Sequence, residues 1–564
     1  MVSAMRAAIH YIPEAYSTDG PRLMGRNAAG ESFLRGYLKH SRADAFWVQS
    51  DQAEHARQFS ETVKAAGRKE PVKMVSRNNL ADLAQAGMVY FPASHIGDLA
   101  WNRALFGDRA WSLCGITHTL SSAGAMDGIV SLLTSPVQPW DAVICTSSVV
   151  RQSIQRILEA QAEYLRARLG VQRLVLPQLP VIPLGLHADD FVHTEVQRAQ
   201  ARLALGADER TIVVLYAGRL SFHAKAHPLA MYQALEASAL RLPPGESVLL
   251  VECGWHANEA IANSYAAAAA MVCPHVRVLT LDGRQAEARQ RAWAGADVFC
   301  SLSDNLQETF GLTPIEAMAA GLPVVVSDWD GYRDTVRDGI DGFRIPTLMP
   351  AAGQGIDLAR RHALEIDSYD RHCGYTCSMV AVDMRAGARA FERLFASTEL
   401  RRRMGESGRR RAREVFDWVA IIPKYEALWD ELGTIRSSLA SIQKPLAQPW
   451  PARMDPFHTF SSYATVTLTA ETMLALEASD WQAIEHRIST YRTLAMVSFA
   501  EPVLPSPSEV QTLLSAASRG PQRVSELAGS LSIDRRPTAL NSLAWLVKLG
   551  AMKVLPPGTP ATLS

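Results

Sequence analysis

The chain has 564 residues, enough for three or four domains of about 150 residues each, and its 48% hydrophobic content can fill several cores. Charged residues at 20% exclude a mainly disordered chain. Lys plus Arg and Asp plus Glu both number 57, so no global charge draws the protein to nucleic acid or to a membrane surface. The seven cysteines are scattered. Cys373 and Cys377, beside His372, form the one cluster, and without a second pair they do not make a zinc site. The opening MVSAMRAAIHYIPEAY lacks the apolar core of a signal peptide, and no apolar run reaches the roughly 18 residues of a membrane span. The expectation is a soluble cytoplasmic protein, at most peripheral at the inner face of the membrane.

Residues 7–12 read as a first strand. The stretch 21–36, PRLMGRNAAGESFLRG, follows, with Gly25, Gly30 and other small residues ahead of an apolar helix. Such a loop lets backbone approach a ligand closely, although the dinucleotide G-x-G-x-x-G spacing is missing. Short apolar runs recur at 45–48, 72–75, 88–91, 113–116 and 142–145, with helical stretches between them. That alternation predicts a parallel sheet covered by helices on both faces. His118 falls just past the run at 113–116, at a strand's carboxyl end, where open α/β sheets place their ligands.

A second series begins with TIVVLYA at 211–217, followed by Gly218-Arg219-Leu220 and, six residues after Arg219, Lys225. Further strands are expected at 248–251, 277–281 and 298–300. Then comes SLSDNLQETFGLTPIEAMAAGLPVVVSD at 301–328, in which Glu308 and Glu316 are separated by seven residues. Thr313, Pro314 and Glu316 read as the N-cap, N1 and N3 positions of a helix, a capping box with proline where its missing N–H costs nothing. Gly321 suits the left-handed position after that helix, Pro323 stops it, and 324–326 is a short buried strand. A loop entering a helix at the end of a parallel strand presents free N–H groups and a positive dipole end to anions. Asp328-Trp329-Asp330 has the D-x-D form of metal-binding acids but lies downstream of the helix and reads as loop acids near the cleft. Residues 401–432 are strongly helical, and their arginine run reads as a solvated face.

The proline-rich stretch 443–456 reads as a linker. Residues 455–499 read as partly helical and carry no clear assignment. Helices are expected at about 508–518, 524–531 and 535–550, with a strand at 551–555, and this arrangement resembles a winged helix. Six basic against three acidic side chains over 506–558 is too little for a DNA-binding surface, which needs many phosphate contacts. An interaction or self-association module is the simpler reading.

Glu308, Phe310, Gly311, Leu312, Ile315, Glu316, Ala317, Met318, Gly321, Pro323, Val324 and Val325 together resemble the E-x7-E motif of the retaining glycosyltransferases of family 4, also called group 1. The resemblance covers about residues 1–435. It implies the GT-B fold: an acceptor-side Rossmann-like domain over 1–195 and a nucleotide-sugar domain over 196–435, whose final helix crosses back. Residues 436–505 would link these to the module at 506–558. It further implies transfer of a sugar from a nucleotide-sugar to an acceptor hydroxyl, in polysaccharide or glycoconjugate synthesis. Arg219 and Lys225 would hold the donor diphosphate and strengthen their bonds as it departs. Glu308 would take hydroxyls of the donor sugar and Glu316 those of the ribose. The amides of Phe310, Gly311 and Leu312 would face the diphosphate and the sugar, Gly30 would line the cleft, and His118 would sit near the donor sugar. The two cations take the place of a metal, so no metal or other cofactor is expected. Two departures stand out: Ala226 replaces the glycine after the lysine, and Leu184 replaces the asparagine of V-I-P-N-G. Two rival readings are a nucleotide-sugar epimerase on the same fold and a sugar-sensing, DNA-binding regulator.

Overall fold

A computed structural model describes residues 6–18, 25–439, 448 and 450–556. The chain divides into two compact units, 1–450 and 451–564.

The first unit holds two six-stranded sheets. One contains β1 (Arg6–His10), β2 (Phe46–Gln49), β3 (Val72–Val75), β4 (Gly87–Tyr90), β5 (Ser112–Ile116) and β6 (Ala142–Ile144), in the order β3-β2-β1-β4-β5-β6. The other contains β7 (Thr211–Ala217), β8 (Ser247–Gly254), β9 (Val276–Asp282), β10 (Val298–Ser301), β11 (Val324–Ser327) and β12 (Gly342–Ile345), in the order β12-β11-β10-β7-β8-β9. Every pairing in both is parallel. Helices cover both faces, so most strands are buried along their length and read as continuous apolar runs. This is the GT-B arrangement of two Rossmann-like sheets. Each sheet is wound outward from its middle, so strand order reverses between β1 and β4 in the first and between β7 and β10 in the second. Ligand crevices of doubly wound sheets open at these reversals, beyond the strands' carboxyl ends.

The helical stretch expected over 401–432 is broken. Thr398–Arg411 is α-helical, Ala412–Phe416 is a π-turn, and a new helix runs Trp418–Ser438. Asp417 causes the break: its carboxylate accepts the Val419 amide at 2.9 Å, capping the new helix, and the Ala188 amide at 3.0 Å. The final helix lies over the first sheet, where Arg436 Nη1 donates to the Gly87 carbonyl at 2.6 Å. Trp418 donates from Nε1 to Ser32 Oγ at 2.8 Å, and a Cβ on either Gly36 or Gly185 would lie 2.4 Å from its ring. Leu184, beside Gly185, is buried and makes no polar contact that an asparagine would have made.

Gly30 is not in a loop. It lies inside the helix Gly25–His40, where a Cβ would stand 1.9 Å from the Ala15 carbonyl oxygen. Its lack of a side chain lets that helix pack on the short turn Pro13–Ala15, which corrects its expected place in a loop. Residues 21–24 of the same stretch lie outside the described residues.

Of the expected linker at 443–456, residues 443–447 and 449 lie outside the described residues. In the second unit, helices Pro507–Ala517, Val524–Gly529 and Ala539–Lys548 surround a core that includes Leu513, Leu527, Leu543 and Leu546. Its sheet is antiparallel, with Met473–Leu476 between Gln522–Arg523 and Met552–Val554. The terminal strand therefore pairs with a segment upstream of all three helices, inside the stretch that the sequence left unassigned. No helix among the described residues is long and apolar enough to cross a membrane.

Candidate functional site

At the β7/β10 reversal the loops leaving the two strands are stitched together. Asn305 Nδ2 donates to the His223 carbonyl at 3.0 Å, Ser303 Oγ to the Lys225 carbonyl at 3.2 Å, and the His227 amide to Asp304 Oδ1 at 3.2 Å. These bonds fix Lys225 so that its Nζ lies 2.5 Å from Glu308 Oε2. Burial pushes the Glu308 carboxyl up, but the Lys225 ammonium and the amides of Thr309 and Phe310 outweigh it and hold the group below its ordinary value. Glu308 is therefore an ionised acceptor. Arg219 points into the same crevice, its Nη2 donating to the Ala224 carbonyl at 3.0 Å and to Gln307 Oε1 at 2.9 Å. Ala226 is accommodated with no left-handed backbone, since the amides of Lys225 and Ala226 both reach the Ser221 carbonyl.

The helix after Glu308 runs Leu312–Ala320 and starts two residues earlier than its capping box requires. Its N-cap is Gly311, at φ 88°, with no side-chain cap. A Cβ there would stand 2.1 Å from the Tyr332 ring, so glycine is required on both counts. Thr313 and Glu316 thus do not form the expected capping box. Phe310 is buried with its ring 6.2 Å from that of Phe416, and only its backbone is available to a ligand. Glu316 is half-buried, and no hydrogen bond holds its carboxylate among the described residues. Burial pushes it to about 7, against the pull of Arg289 and Lys225. Glu308 and Glu316 therefore share one cation, Lys225. Because Glu316 caps nothing, Glu316→Gln is expected to leave the melting temperature unchanged or raised at pH 8. A loss of about 1 kcal/mol, the usual cost of deleting a cap, would restore the capping role.

His118 leaves β5 in the first sheet. Its Nε2 lies 3.0 Å from the Pro92 carbonyl, which can only accept, so that nitrogen carries the proton. Burial lowers its pKa, leaving a neutral ring. Residues that the sequence reading missed gather at the neighbouring β1/β4 reversal. His10, the last residue of β1, bonds to Gln49, the last of β2. Its ring stands 5.0 Å from Phe91, which stands 5.0 Å from His95. Arg77 grips Asp51 through Nε and Nη2 at 2.5 and 2.6 Å. Their signal was position: each lies at or just beyond the carboxyl end of a strand that the apolar runs had located.

Loops from the two sheets touch beside these sites. Ser147 Oγ donates to the Thr309 carbonyl at 2.9 Å, next to Glu308, and Ser148 Oγ to Asp334 at 2.7 Å. The Tyr369 hydroxyl lies 3.0 Å from both Thr119 Oγ1 and Ser121 Oγ, adjoining His118. Arg219, Lys225, Glu308, Glu316 and the backbone of Phe310–Leu312 thus come together, with His118 on the facing loop; Gly30 does not join them. Cys373 and Cys377 are buried and unbridged. Among the described residues no group of three or more His, Cys, Asp or Glu side chains is placed to hold a metal ion.

Behind the Lys225 loop, Glu252 is 2% exposed and accepts the Tyr232 hydroxyl at 2.5 Å. Burial raises its carboxyl from 4.5 to about 7. The folded protein holds this proton more tightly than the unfolded chain, so the full stability is present below about pH 4.5 and falls as pH rises to about 7. The raised value corresponds to about 3 kcal/mol. Glu252→Gln keeps the Tyr232 bond and is expected to remove that part of the pH dependence, read as denaturation midpoints at pH 5 and pH 8. Equal pH slopes for variant and parent would show the carboxyl to be ionised throughout.

Residues 197–352 match the family model described as glycosyl transferases group 1. The matched span contains Arg219, Lys225, Glu308 and Glu316 and both strands of the second reversal. The chain is 30% identical over 283 residues to a D-inositol 3-phosphate glycosyltransferase of Mycobacterium sp. (strain KMS), covering 48% of this chain and 60% of that one. Over 61 residues it is 46% identical to a phosphatidyl-myo-inositol mannosyltransferase of Mycobacterium leprae, covering 11% and 16% of the two chains. The chain thus spans less than two thirds of the length of these curated relatives. A crystal structure of Anabaena HepE in complex with UDP and glucose superposes with TM-score 0.44 at 15% identity, over 77% of this chain and 100% of that one, a likeness too distant to add to the fold.

Proposed function

We propose that the protein is a retaining glycosyltransferase of the family 4 type, moving a hexosyl unit from a nucleotide-sugar to an acceptor hydroxyl. The observation that carries this reading is the Lys225–Glu308 pair at the β7/β10 reversal, with Arg219 beside it and the Leu312–Ala320 helix opening onto the same crevice. Arg219, Lys225 and the amides at the helix start form a cationic, N–H-rich cradle for a diphosphate. As the bond to the sugar breaks, charge grows on that diphosphate and the cradle's bonds strengthen. Glu308, an ionised acceptor, takes hydroxyls of the sugar; Glu316 takes the ribose. The departing diphosphate removes the acceptor's proton on the same face, so the scheme uses no side-chain nucleophile.

The acceptor side is the β1/β4 reversal, where Phe91 offers an apolar face between two imidazoles and Arg77 offers charge. A hydroxylated ring fits that chemistry, and the relatives' names favour an inositol phosphate. The second unit, read as winged-helix-like, serves as an interaction module. A thermal-shift panel of UDP-, GDP-, ADP- and dTDP-sugars tests the donor class, since a ligand that binds only the folded state stabilises it by mass action. No shift with any of them would defeat the reading. The anomeric configuration of the product, read by NMR, tests retention. The scheme needs no metal, so turnover is expected to survive EDTA; a loss restored by Mg²⁺ or Mn²⁺ would overturn that part.

A further inference from the structure

We propose that Asp330 is a specificity-determining residue of the donor site, holding a hydroxyl of the transferred sugar together with Glu308. The assignment rests on the transferase reading above. Asp330 lies three residues beyond β11, at φ 49°. Among the described residues one other non-glycine residue, Glu365, has positive φ, and it is exposed. A left-handed aspartate is strained, and such strain persists only where the surroundings impose it. Here they do. The Asp328 amide donates to the Ile345 carbonyl at 2.7 Å, Trp329 Nε1 to the Asn305 carbonyl at 3.1 Å, and the Arg333 amide to the Asp330 carbonyl at 3.2 Å. Gly331 is pressed on the Glu308 loop so closely that a Cβ would stand 2.4 Å from Phe310 Cα and 2.7 Å from the Thr309 carbonyl oxygen.

This clamp sets the Asp330 carboxyl against the Lys225–Glu308 pair, with Oδ2 shut off from solvent and without a hydrogen-bond partner. The charged groups that face it are Glu308, Lys225 and Asp334, and Asp334 is already engaged by Ser148. Strain, an unsatisfied buried oxygen and a like-charged neighbour each destabilise the fold, and the bond from the Gly331 amide to the carboxyl offsets them only in part. A residue kept for stability would not combine the three. Burial, and then the charge of Glu308, push the Asp330 carboxyl well above the usual carboxylate range, toward the protonated form. In that form Asp330 is a donor and acceptor beside Glu308, a pure acceptor. A sugar hydroxyl can donate to Glu308 and accept from a protonated Asp330 at once. The D-x-D string thus contributes its second acid to sugar recognition.

Asp330→Gly removes the strain and the carboxyl together, and Asp330→Asn keeps the shape while replacing the acid by an amide. For each variant and the parent, melting temperature is measured alone, with UDP, GDP, ADP or dTDP, and with the matching glucose, galactose, mannose and N-acetylglucosamine donors. Asp330→Gly is expected to melt no lower than the parent and to keep the shift given by the nucleoside diphosphate. It should lose the extra shift given by the sugar, corresponding to at least about tenfold in affinity, one hydrogen bond of this type. Asp330→Asn should narrow the difference between epimeric sugars. A parent that responds while Asp330→Gly keeps the full sugar-dependent shift overturns this assignment alone. So does an Asp330→Gly that melts lower and loses the nucleoside diphosphate as well, the mark of a structural residue. A parent that responds to no nucleotide-sugar overturns the transferase reading and this assignment with it.

Discussion

Lys225→Ala is expected to lower turnover about 100- to 1000-fold, the range for deleting one preorganised group that stabilises transition-state charge. The ammonium has two tasks in the crevice. Without donor it neutralises Glu308 at 2.5 Å, and under the proposed function it would face the diphosphate on which charge develops. Its loss leaves Glu308 buried beside Asp330 with no cation, and the Glu308 carboxyl then rises toward protonation, so that it ceases to be the ionised acceptor the sugar needs. The two residues should therefore fail as a unit. Lys225→Ala, Glu308→Gln and the double variant are compared by kcat/KM, and the double variant should lose little more than the worse single one. Losses that simply add would mean that the pair is a coincidence of packing.

Asp141→Ala is expected to have the largest effect on stability, about 3–5 kcal/mol, the cost of orphaning one partner of a buried ion pair. Arg103 and Asp141 are both fully enclosed. The guanidinium grips both carboxylate oxygens, at 2.5 and 2.8 Å, and also donates to the Trp111 and Pro136 carbonyls. Asp141 additionally accepts the Leu113 and Gln138 amides at 2.9 and 2.8 Å, tying the start of β6 to β5. Removing the carboxylate strands a buried cation and two amides at once. Denaturant midpoints followed by tryptophan fluorescence measure the loss. Arg103→Met with Asp141→Leu, which removes both charges, should recover much of it. Equal destabilisation by the single and double variants would show that packing and not charge is decisive.

Much of this protein is set locally along the chain. Strands buried on both faces must be continuous apolar runs, so the ordered runs in each half located eleven of the twelve strands within a few residues, β12 being the exception. The acids and cations of the second reversal were found likewise, because Arg219 and Lys225 follow β7 and Glu308 follows β10 in the linear order that the resemblance requires. Local patterns misled where a distant contact decides the backbone. Thr313-Pro314-x-Glu316 has the spacing of a capping box, but Tyr332 packs against Gly311 and moves the helix start back into the left-handed glycine. Gly30 has the company of loop glycines, yet the Ala15 carbonyl sets its use inside a helix. The central strand of the second unit, Met473–Leu476, is too short to stand out until its partners at Gln522–Arg523 and Met552–Val554 flank it. Side-chain electrostatics lies furthest from the sequence. Lys225 and Glu308 are 83 positions apart, and Asp330 is one loop acid among many until Gly331 presses on Phe310. Periodicity records which face of an element is buried; which charges then meet in the crevice is fixed only when the loops of separate strands close on one another.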